Sequence, residues 1–112
     1  LQSRGLGDVY KRQVQIEIRE DSVLACLSGE IDHHSAVELR EQIDQSVIQS
    51  GAKLLVLDFS LVTFMDSSGI GLVMGRFRLM QENDGKVVLQ NLPAPIRKVM
   101  KLAGLDKLAE FH

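Results

Sequence analysis

Short apolar runs alternate along this chain with longer segments in which apolar residues recur every three or four positions. The short runs are typical of strands and the longer period is typical of amphipathic helices. The order predicts β-β-α-β-α-β-α, and a short run at 108–111 offers a final strand as an alternative. The predicted strands are 14–18, 23–27, 54–57 and 87–89, and the predicted helices lie at 35–50, 70–80 and 96–103.

Strands that alternate with helices form a mostly parallel sheet through right-handed crossovers. In the first strand Val14, Ile16 and Ile18 alternate with polar residues, which predicts a half-buried antiparallel strand at the edge. The continuous runs at 23–27 and 54–57 predict central strands, the first of them covered on both faces. The predicted fold class is therefore α/β, with a mixed, mostly parallel sheet of four to five strands and helices packed on it.

The composition is that of one globular domain, and it argues against several classes of function. A chain of 112 residues can bury one core. The formal net charge is −2 and no stripe of Lys and Arg is present, which argues against nucleic acid as a partner. Cys26 is the only cysteine, so no internal disulfide can form and a reducing cytoplasm fits. No apolar run approaches the ~20 residues of a membrane span, so no membrane association is expected.

Residues 1–13 differ in character from the rest of the sequence. They show no hydrophobic period and carry two glycines and several charges. We interpret them as a tail or a non-native segment and place the domain at 14–112. In the alternative interpretation the segment is native and docks as an extra strand through Val9 and Tyr10.

The sequence FMDSSGIG at 64–71 places two serines where the third strand leads into a helix. The first turn of a helix has unpaired N–H groups and a partial positive charge, so it can bind an anion, accept a hydroxyl cap or carry a phosphoserine. Two interpretations carry equal weight on chemistry alone. In the first, Ser67 is phosphorylated and a partner docked over it is released. In the second, Ser67 or Ser68 is only an N-cap.

Catalysis, nucleotide binding and metal binding are less well supported by the same residues. Met65 occupies the position where a hydrolase nucleophile elbow needs glycine, and nothing in the sequence places a histidine beside the serines. The glycines of 69–75 miss the dinucleotide-loop spacing by one position, and we interpret them as close-packing positions in a helix. The contiguous Asp32, His33 and His34 are poorly arranged for one metal ion. We therefore predict no catalytic residue, no metal ligand and no enzyme activity.

Two segments together resemble a known family. The sequence GEIDHHSA at 29–36, followed by FMDSSGIG at 64–71, resembles the bacterial anti-sigma factor antagonists of the STAS fold. The Asp-His-His stretch with Met-Asp-Ser-Ser-Gly is most similar to the sporulation members, the anti-sigma F factor antagonists. The resemblance extends from about Val14 to the C-terminus. Both segments at this separation and in this strand-helix order are far more specific than Asp-Ser-Ser-Gly alone.

The resemblance implies a partner switch that controls transcription. The unphosphorylated antagonist would bind an anti-sigma factor that is also an ATP-dependent serine kinase, and a sigma factor would be released. The kinase would phosphorylate the first serine after the aspartate, here Ser67, and a metal-dependent serine phosphatase would restore the binding form. The ATP belongs to the kinase, so no cofactor is expected in this chain. The residues predicted to contact the partner are Glu30, Asp32, His33, His34, Asp66, Ser68, Gly69 and Ile70.

Three alternatives stay open at this point. The first is a general-stress antagonist, which uses the same switch with another sigma factor. The second is a nucleotide- or small-molecule-sensing STAS module of a transporter, and the third is a hydrolase. Two departures from the family pattern also lead us to expect a partial or mis-joined gene product. Residues 1–13 differ from the family's N-terminus, and the family's C-terminal helix has no counterpart before His112. We expect its loss to expose part of the sheet face at 23–27 or 87–89.

Overall fold

The computed structural model describes residues 14–112, so the two interpretations of residues 1–13 lie outside the described residues. Five strands and three helices make up this part of the chain, with one 3₁₀ turn before the last strand. The strands are β1 (Val14–Ile18), β2 (Ser22–Ile31), β3 (Leu54–Met65), β4 (Lys86–Gln90) and β5 (Glu110–Phe111). The helices are α1 (His33–Ser50), α2 (Ser67–Glu82) and α3 (Ala94–Leu102), and the 3₁₀ turn is Leu105–Lys107.

The five strands form one sheet in the order β1-β2-β3-β4-β5. β1 pairs antiparallel with β2, and the other three pairs are parallel. The predicted mixed sheet with an antiparallel edge strand is therefore confirmed, and the optional fifth strand is present. Because the parallel strands follow one another in one direction and such crossovers are right-handed, α1, α2 and α3 all pack on the same face.

Only one face of β2 is fully buried, which corrects the prediction that this strand is covered on both faces. Val23, Ala25 and Leu27 are fully buried under the helices, whereas Leu24 and Cys26 between them are half-buried. A continuous apolar run shows only that a strand is central. Whether its second face is covered depends on the side to which the crossover helices go, and here none of the described helices crosses to that side.

The glycines of α2 differ in what surrounds them, and only one of the three is a close-packing position. A Cβ on Gly69 would collide with Cγ and Sδ of Met65, whereas a Cβ on Gly71 or Gly75 would meet nothing within 4 Å. The close-packing interpretation of 69–75 is therefore right for Gly69 and wrong for the other two. Gly69 lets the first turn of α2 lie directly on the end of β3.

We expect Gly71→Ala to stabilise the fold and Gly69→Ala to destabilise it. Alanine gains about 1 kcal/mol over glycine inside a helix. At position 71 nothing opposes this gain. At position 69 the displaced Met65 side chain costs about 1–3 kcal/mol, as in other overpacked sites. Urea unfolding of the two variants checks this pair, and a stabilising Gly69→Ala would contradict the close contact with Met65.

A buried carboxylate, Asp58 in the first half of β3, ties this strand to the end of β4. Its Oδ1 accepts a hydrogen bond from the N–H of Ser60 at 2.8 Å, and its Oδ2 accepts one each from the side-chain amides of Gln90 and Asn91, also at 2.8 Å. Burial by itself raises the pKa of Asp58, but these hydrogen bonds to the charged form outweigh it, and the pKa lies below the usual value. The ionised carboxylate therefore stabilises the fold.

Acid is expected to remove this contribution. Since the folded pKa of Asp58 is lowered, its stabilisation is present above the unfolded pKa of about 3.9 and is lost as the pH falls through the folded pKa. Asp58→Asn should cost about 2 kcal/mol of unfolding free energy at pH 7, because a neutral amide replaces a charged acceptor of three bonds. The difference between wild type and variant should shrink towards pH 3. Equal differences at both pH values, measured by urea unfolding, would contradict this role.

A buried ion pair holds α2 against α1. Arg76 of α2 is only 6% exposed, and its Nε lies 2.7 Å from Oδ1 of Asp44 on α1. The contact between these two atoms does not have the geometry of a hydrogen bond. Both atoms, and also Nη1 of Arg76, are buried without a hydrogen-bond partner among residues 14–112. Burial raises the pKa of Asp44 despite the nearby cation, and burial lowers the pKa of Arg76. The apolar period of 70–80 predicts a polar, solvent-facing position for Arg76, and this prediction was wrong.

Candidate functional site

Two strand-to-helix corners lie side by side at one edge of the sheet. β2 and β3 are neighbouring parallel strands, and their pairing continues to the last residues, Ile31 opposite Met65. The N–H of Asp66 donates a hydrogen bond to the carbonyl of Ile31 at 3.1 Å and joins the two corners. Each strand is followed by one aspartate and then by a helix. The two helix N-termini, and the partial positive charge of each, therefore lie at the same edge.

Asp32 is the N-cap of α1. Its Oδ1 accepts the N–H of Ser35 at 2.9 Å, and the Ser35 hydroxyl accepts the N–H of Asp32 at 2.9 Å. The spacing of Ser35 and Glu38 in the sequence predicts a capping box with Ser35 as the cap, and the structure corrects it, because Asp32 is the cap and Ser35 returns the bond. The hydrogen bond from the Ser35 N–H holds the pKa of Asp32 below its usual value, so the carboxylate is charged at neutral pH. His33 and His34 belong to the first turn of the helix.

Asp66 is the N-cap of α2, which corrects the interpretation that a serine caps this helix. Its Oδ1 accepts the N–H of Ser68 at 2.7 Å, and its carbonyl accepts the N–H of Gly69 at 3.0 Å. Aspartate is among the strongest N-cap residues. The Asp66 carboxylate therefore accepts the hydrogen bond from the first turn of α2 that a serine hydroxyl would otherwise accept. Ser67 is the first residue of the helix itself.

The hydroxyl of Ser67 is exposed and has no structural role in the described part of the chain. No hydrogen bond joins it to any residue from 14 to 112, whereas the neighbouring Asp66 carboxylate is committed to the cap. The hydroxyl of Ser68 also makes no hydrogen bond within this range, but Ser68 is only half-exposed. The corner therefore presents one serine to a protein that approaches from solvent.

Most of the residues predicted to contact a partner lie at this edge. Glu30 is exposed and is the next-to-last residue of β2. Asp32 and Asp66 are the two caps. His33 and His34 are exposed in the first turn of α1. Gly69 is buried beneath Met65, and Ile70 is half-buried against the core. The charged candidates therefore lie around the serines. Gly69 and Ile70 lie in the first turn of α2 and are buried or half-buried.

Two residues at this edge were not predicted. Leu61 and Phe64 of β3 are exposed by 64% and 52%. The register of β3 against β2 shifts twice, once before Leu61 and once before Phe64, because β3 contains two extra residues. Such bulges change the face to which the next side chain points. The first shift turns Leu61 outward, and the second restores the alternation that places Phe64 on the same side.

The described residues contain no cluster of three or more His, Cys, Asp or Glu that could hold a metal ion. Between residues 14 and 112 no helix is long and apolar enough to cross a membrane. The features that distinguish this surface are the free serine hydroxyl, the neighbouring carboxylates and the exposed apolar pair.

The fold and the corner define a class of small regulatory α/β domains, in which a one-sided, mostly parallel sheet presents a serine at a helix start. The sequence pattern of the STAS domain matches residues 13–112. The chain belongs to the STAS domain family.

Named relatives belong to the same family. The chain is 36% identical over 93 residues to the anti-sigma F factor antagonist of Lysinibacillus sphaericus, covering 83% of this chain and 79% of that protein. It is 29% identical over 98 residues to the anti-sigma-B factor antagonist of Bacillus subtilis, covering 88% of each. These relatives are regulatory proteins and not enzymes, which confirms the prediction of a non-enzymatic chain.

The structure is similar to that of the anti-sigma factor antagonist SpoIIAA of Bacillus, which is known in two forms. The TM-score to the unphosphorylated form is 0.78, at 33% identity and with 88% of this chain and 87% of that chain covered. For the phosphorylated form it is 0.72, at 33% identity and with 88% and 90% covered. The resemblance seen in the two sequence segments is therefore confirmed.

Proposed function

We propose that this protein is an anti-sigma factor antagonist that phosphorylation of Ser67 switches off. The observation that carries the proposal is the identity of the α2 cap. Asp66 supplies the cap, so the exposed Ser67 hydroxyl is free to accept a phosphate without loss of a structural hydrogen bond. The unphosphorylated form binds an anti-sigma factor that is also a serine kinase, and a sigma factor is released.

The fold should tolerate the phosphate. A phosphoserine carries about −1.5 to −2 charges, and a helix N-terminus favours an anion by about 0.3–1 kcal/mol. The adjacent Asp66 carboxylate opposes this gain. The two effects are small and opposite, so the phosphate changes the charge of the surface rather than the structure beneath it. The match of this chain to both forms of SpoIIAA agrees with a fold that persists through the modification.

The large effect falls on the complex with the kinase. A serine that receives a phosphoryl group must face the terminal phosphate of the bound ATP. After transfer, the new dianion lies against the phosphates of the remaining ADP in a poorly hydrated interface, with Asp66 beside it. This like-charge contact drives dissociation. A metal-dependent serine phosphatase then removes the phosphate and restores the binding form.

The named relatives include antagonists for two sigma factor systems. The identity is higher to the sigma F type than to the sigma B type. The Asp-His-His stretch that begins at Asp32 also favours the sporulation type. We therefore assign the anti-sigma F factor as the partner in preference to the general-stress anti-sigma factor.

The test is phosphorylation by the purified anti-sigma F kinase with ATP, followed by intact and peptide mass spectrometry. We expect one phosphate, located on Ser67 and absent from Ser67→Ala. Ser68→Ala is the matched control, because the cap uses the backbone N–H of Ser68 and survives this substitution. Phosphate on Ser68, or none on folded wild type with a kinase that is active on its known substrate, would overturn the proposal.

Charge at the neighbouring corner should also matter for binding. Asparagine caps helices as well as aspartate, so Asp32→Asn keeps the start of α1 and removes only the charge. We expect about tenfold weaker binding to the kinase from one lost charge pair, and a melting temperature only slightly below that of the wild type. Asp32→Ala should show the same loss together with a lower melting temperature. Wild-type affinity of Asp32→Asn, measured by calorimetry, would exclude a contact through this carboxylate.

A further inference from the structure

An exposed apolar pair lies directly beside the serine corner. Phe64 and Leu61 are 52% and 64% exposed, and both point away from the core of the domain. They lie opposite Glu30 and Ser28 in the β2–β3 ladder. Since Ser28 and Glu30 are two residues apart on one strand, the two apolar side chains lie about 7 Å apart on the same side of the ribbon. They can therefore enter one pocket of a partner.

Among the described strands, none pairs with this part of β3 on one of its sides. The pairing of β3 with β4 ends at Asp58 opposite Gln90, whereas β3 continues to Met65. Within residues 14–112 the ribbon of β2 and β3 therefore extends beyond the rest of the sheet towards the start of α2. A partner can reach Phe64 from the side as well as from above.

We infer that Leu61 and Phe64 are the apolar anchor through which the anti-sigma kinase holds this protein while Ser67 faces its nucleotide. The inference rests on the proposed function and adds the contact that gives the complex its affinity. Aromatic residues that fill a pocket at the centre of an interface supply most of the binding energy in many complexes. Ser67 itself offers only a small polar group, so affinity must come from neighbouring side chains.

The charges around the pair specify the chemistry of the partner surface. Glu30 is the cross-strand neighbour of Phe64, and Asp66 and Asp32 are the caps that follow the two strands. A complementary surface is an apolar pocket with Lys or Arg at its rim on the side of these carboxylates. The nucleotide phosphates face Ser67, which directly follows Asp66 in the chain.

The experiment measures the affinity for the anti-sigma F kinase in the presence of ADP, so that no phosphate is transferred. Phe64→Ala should weaken binding at least thirtyfold, and Leu61→Ala about tenfold. Phe64→Leu, which keeps an apolar side chain, should recover part of the loss. Ile48→Ala is the matched control, because Ile48 is 66% exposed near the C-terminal end of α1, at the opposite edge of the sheet. It should bind as wild type.

The outcomes separate this inference from the proposed function. Phe64→Ala that binds within twofold of wild type, while phosphorylation of Ser67 still abolishes binding, overturns the anchor and leaves the switch in place. Wild-type protein that neither binds nor is phosphorylated overturns the proposed function. A dimer in analytical ultracentrifugation that Phe64→Ala dissociates would assign the apolar pair to a second copy and also overturn the anchor. Unchanged melting temperatures of the variants show that the loss of affinity comes from the missing side-chain contact and not from unfolding.

Discussion

Phosphorylation of Ser67 is expected to lower the affinity for the anti-sigma kinase about a thousandfold and to leave the stability of the domain almost unchanged. The first effect corresponds to about 4 kcal/mol and comes from two dianionic groups facing each other across a dehydrated interface. The second follows because the cap of α2 is Asp66, whose bond to the Ser68 N–H does not involve the modified hydroxyl. Calorimetry of the two forms with ADP-loaded kinase gives the affinities, and urea unfolding gives the stabilities.

Three variants make this measurement specific. Ser67→Ala should bind as the unphosphorylated wild type and stay bound in the presence of ATP. Ser67→Glu carries one charge instead of about two, so it should show an intermediate loss. Asp66→Asn keeps an N-cap and should tolerate the phosphate better in the free domain. If phosphorylation lowered the free energy of unfolding by more than about 2 kcal/mol, the fold and not the interface would respond to the phosphate.

Asp44→Leu is expected to destabilise the domain by about 3 kcal/mol, more than Arg76→Met. Removal of Asp44 leaves the guanidinium of Arg76 buried without a counterion, which is the costly way to break a buried pair. Removal of Arg76 leaves an Asp44 side chain that is 28% exposed and can be hydrated. The double variant should be more stable than Asp44→Leu alone, because two apolar side chains then replace two buried charges.

A double-mutant cycle by urea unfolding checks this expectation. Additive effects of the two substitutions, within about 0.5 kcal/mol, would show that the two charges do not interact. The pair joins the two helices that begin at the neighbouring corners, since Arg76 belongs to the helix that begins at Ser67 and Asp44 to the helix that begins at His33. The kinase should therefore phosphorylate the destabilised single variants more slowly than the double variant at the same temperature.

The sequence by itself determined the order of the elements and the position of the serine. The hydrophobic period separates strands from helices over a few neighbouring residues. Local geometry likewise marks Gly51, which ends α1 with a φ of 68°, and Pro93, where α3 begins. The placement of Ser67 at a strand-to-helix corner follows from the same short-range signals. Chemistry alone gave phosphorylation of Ser67 and a capping role equal weight, and the resemblance of two segments to a family favoured phosphorylation.

Only the tertiary structure decided which neighbouring group caps each helix, because several residues compete for the same N–H groups. Asp66 takes the cap of α2 and Asp32 that of α1, although serines stand close to both. A cap depends on the angle at which a strand enters the helix, and that angle is set by the sheet. The free hydroxyl of Ser67, on which the proposed switch depends, is a consequence of this competition.

The direction of side chains in β3 and α2 also depended on contacts between distant parts of the chain. Leu61 faces solvent because β3 shifts its register against β2 just before it, and Arg76 is buried because Asp44 of another helix lies against it. Neither register nor helix packing is encoded in a window of a few residues. Sequence therefore determined what each segment becomes, and packing determined which side chains the finished surface offers to a partner.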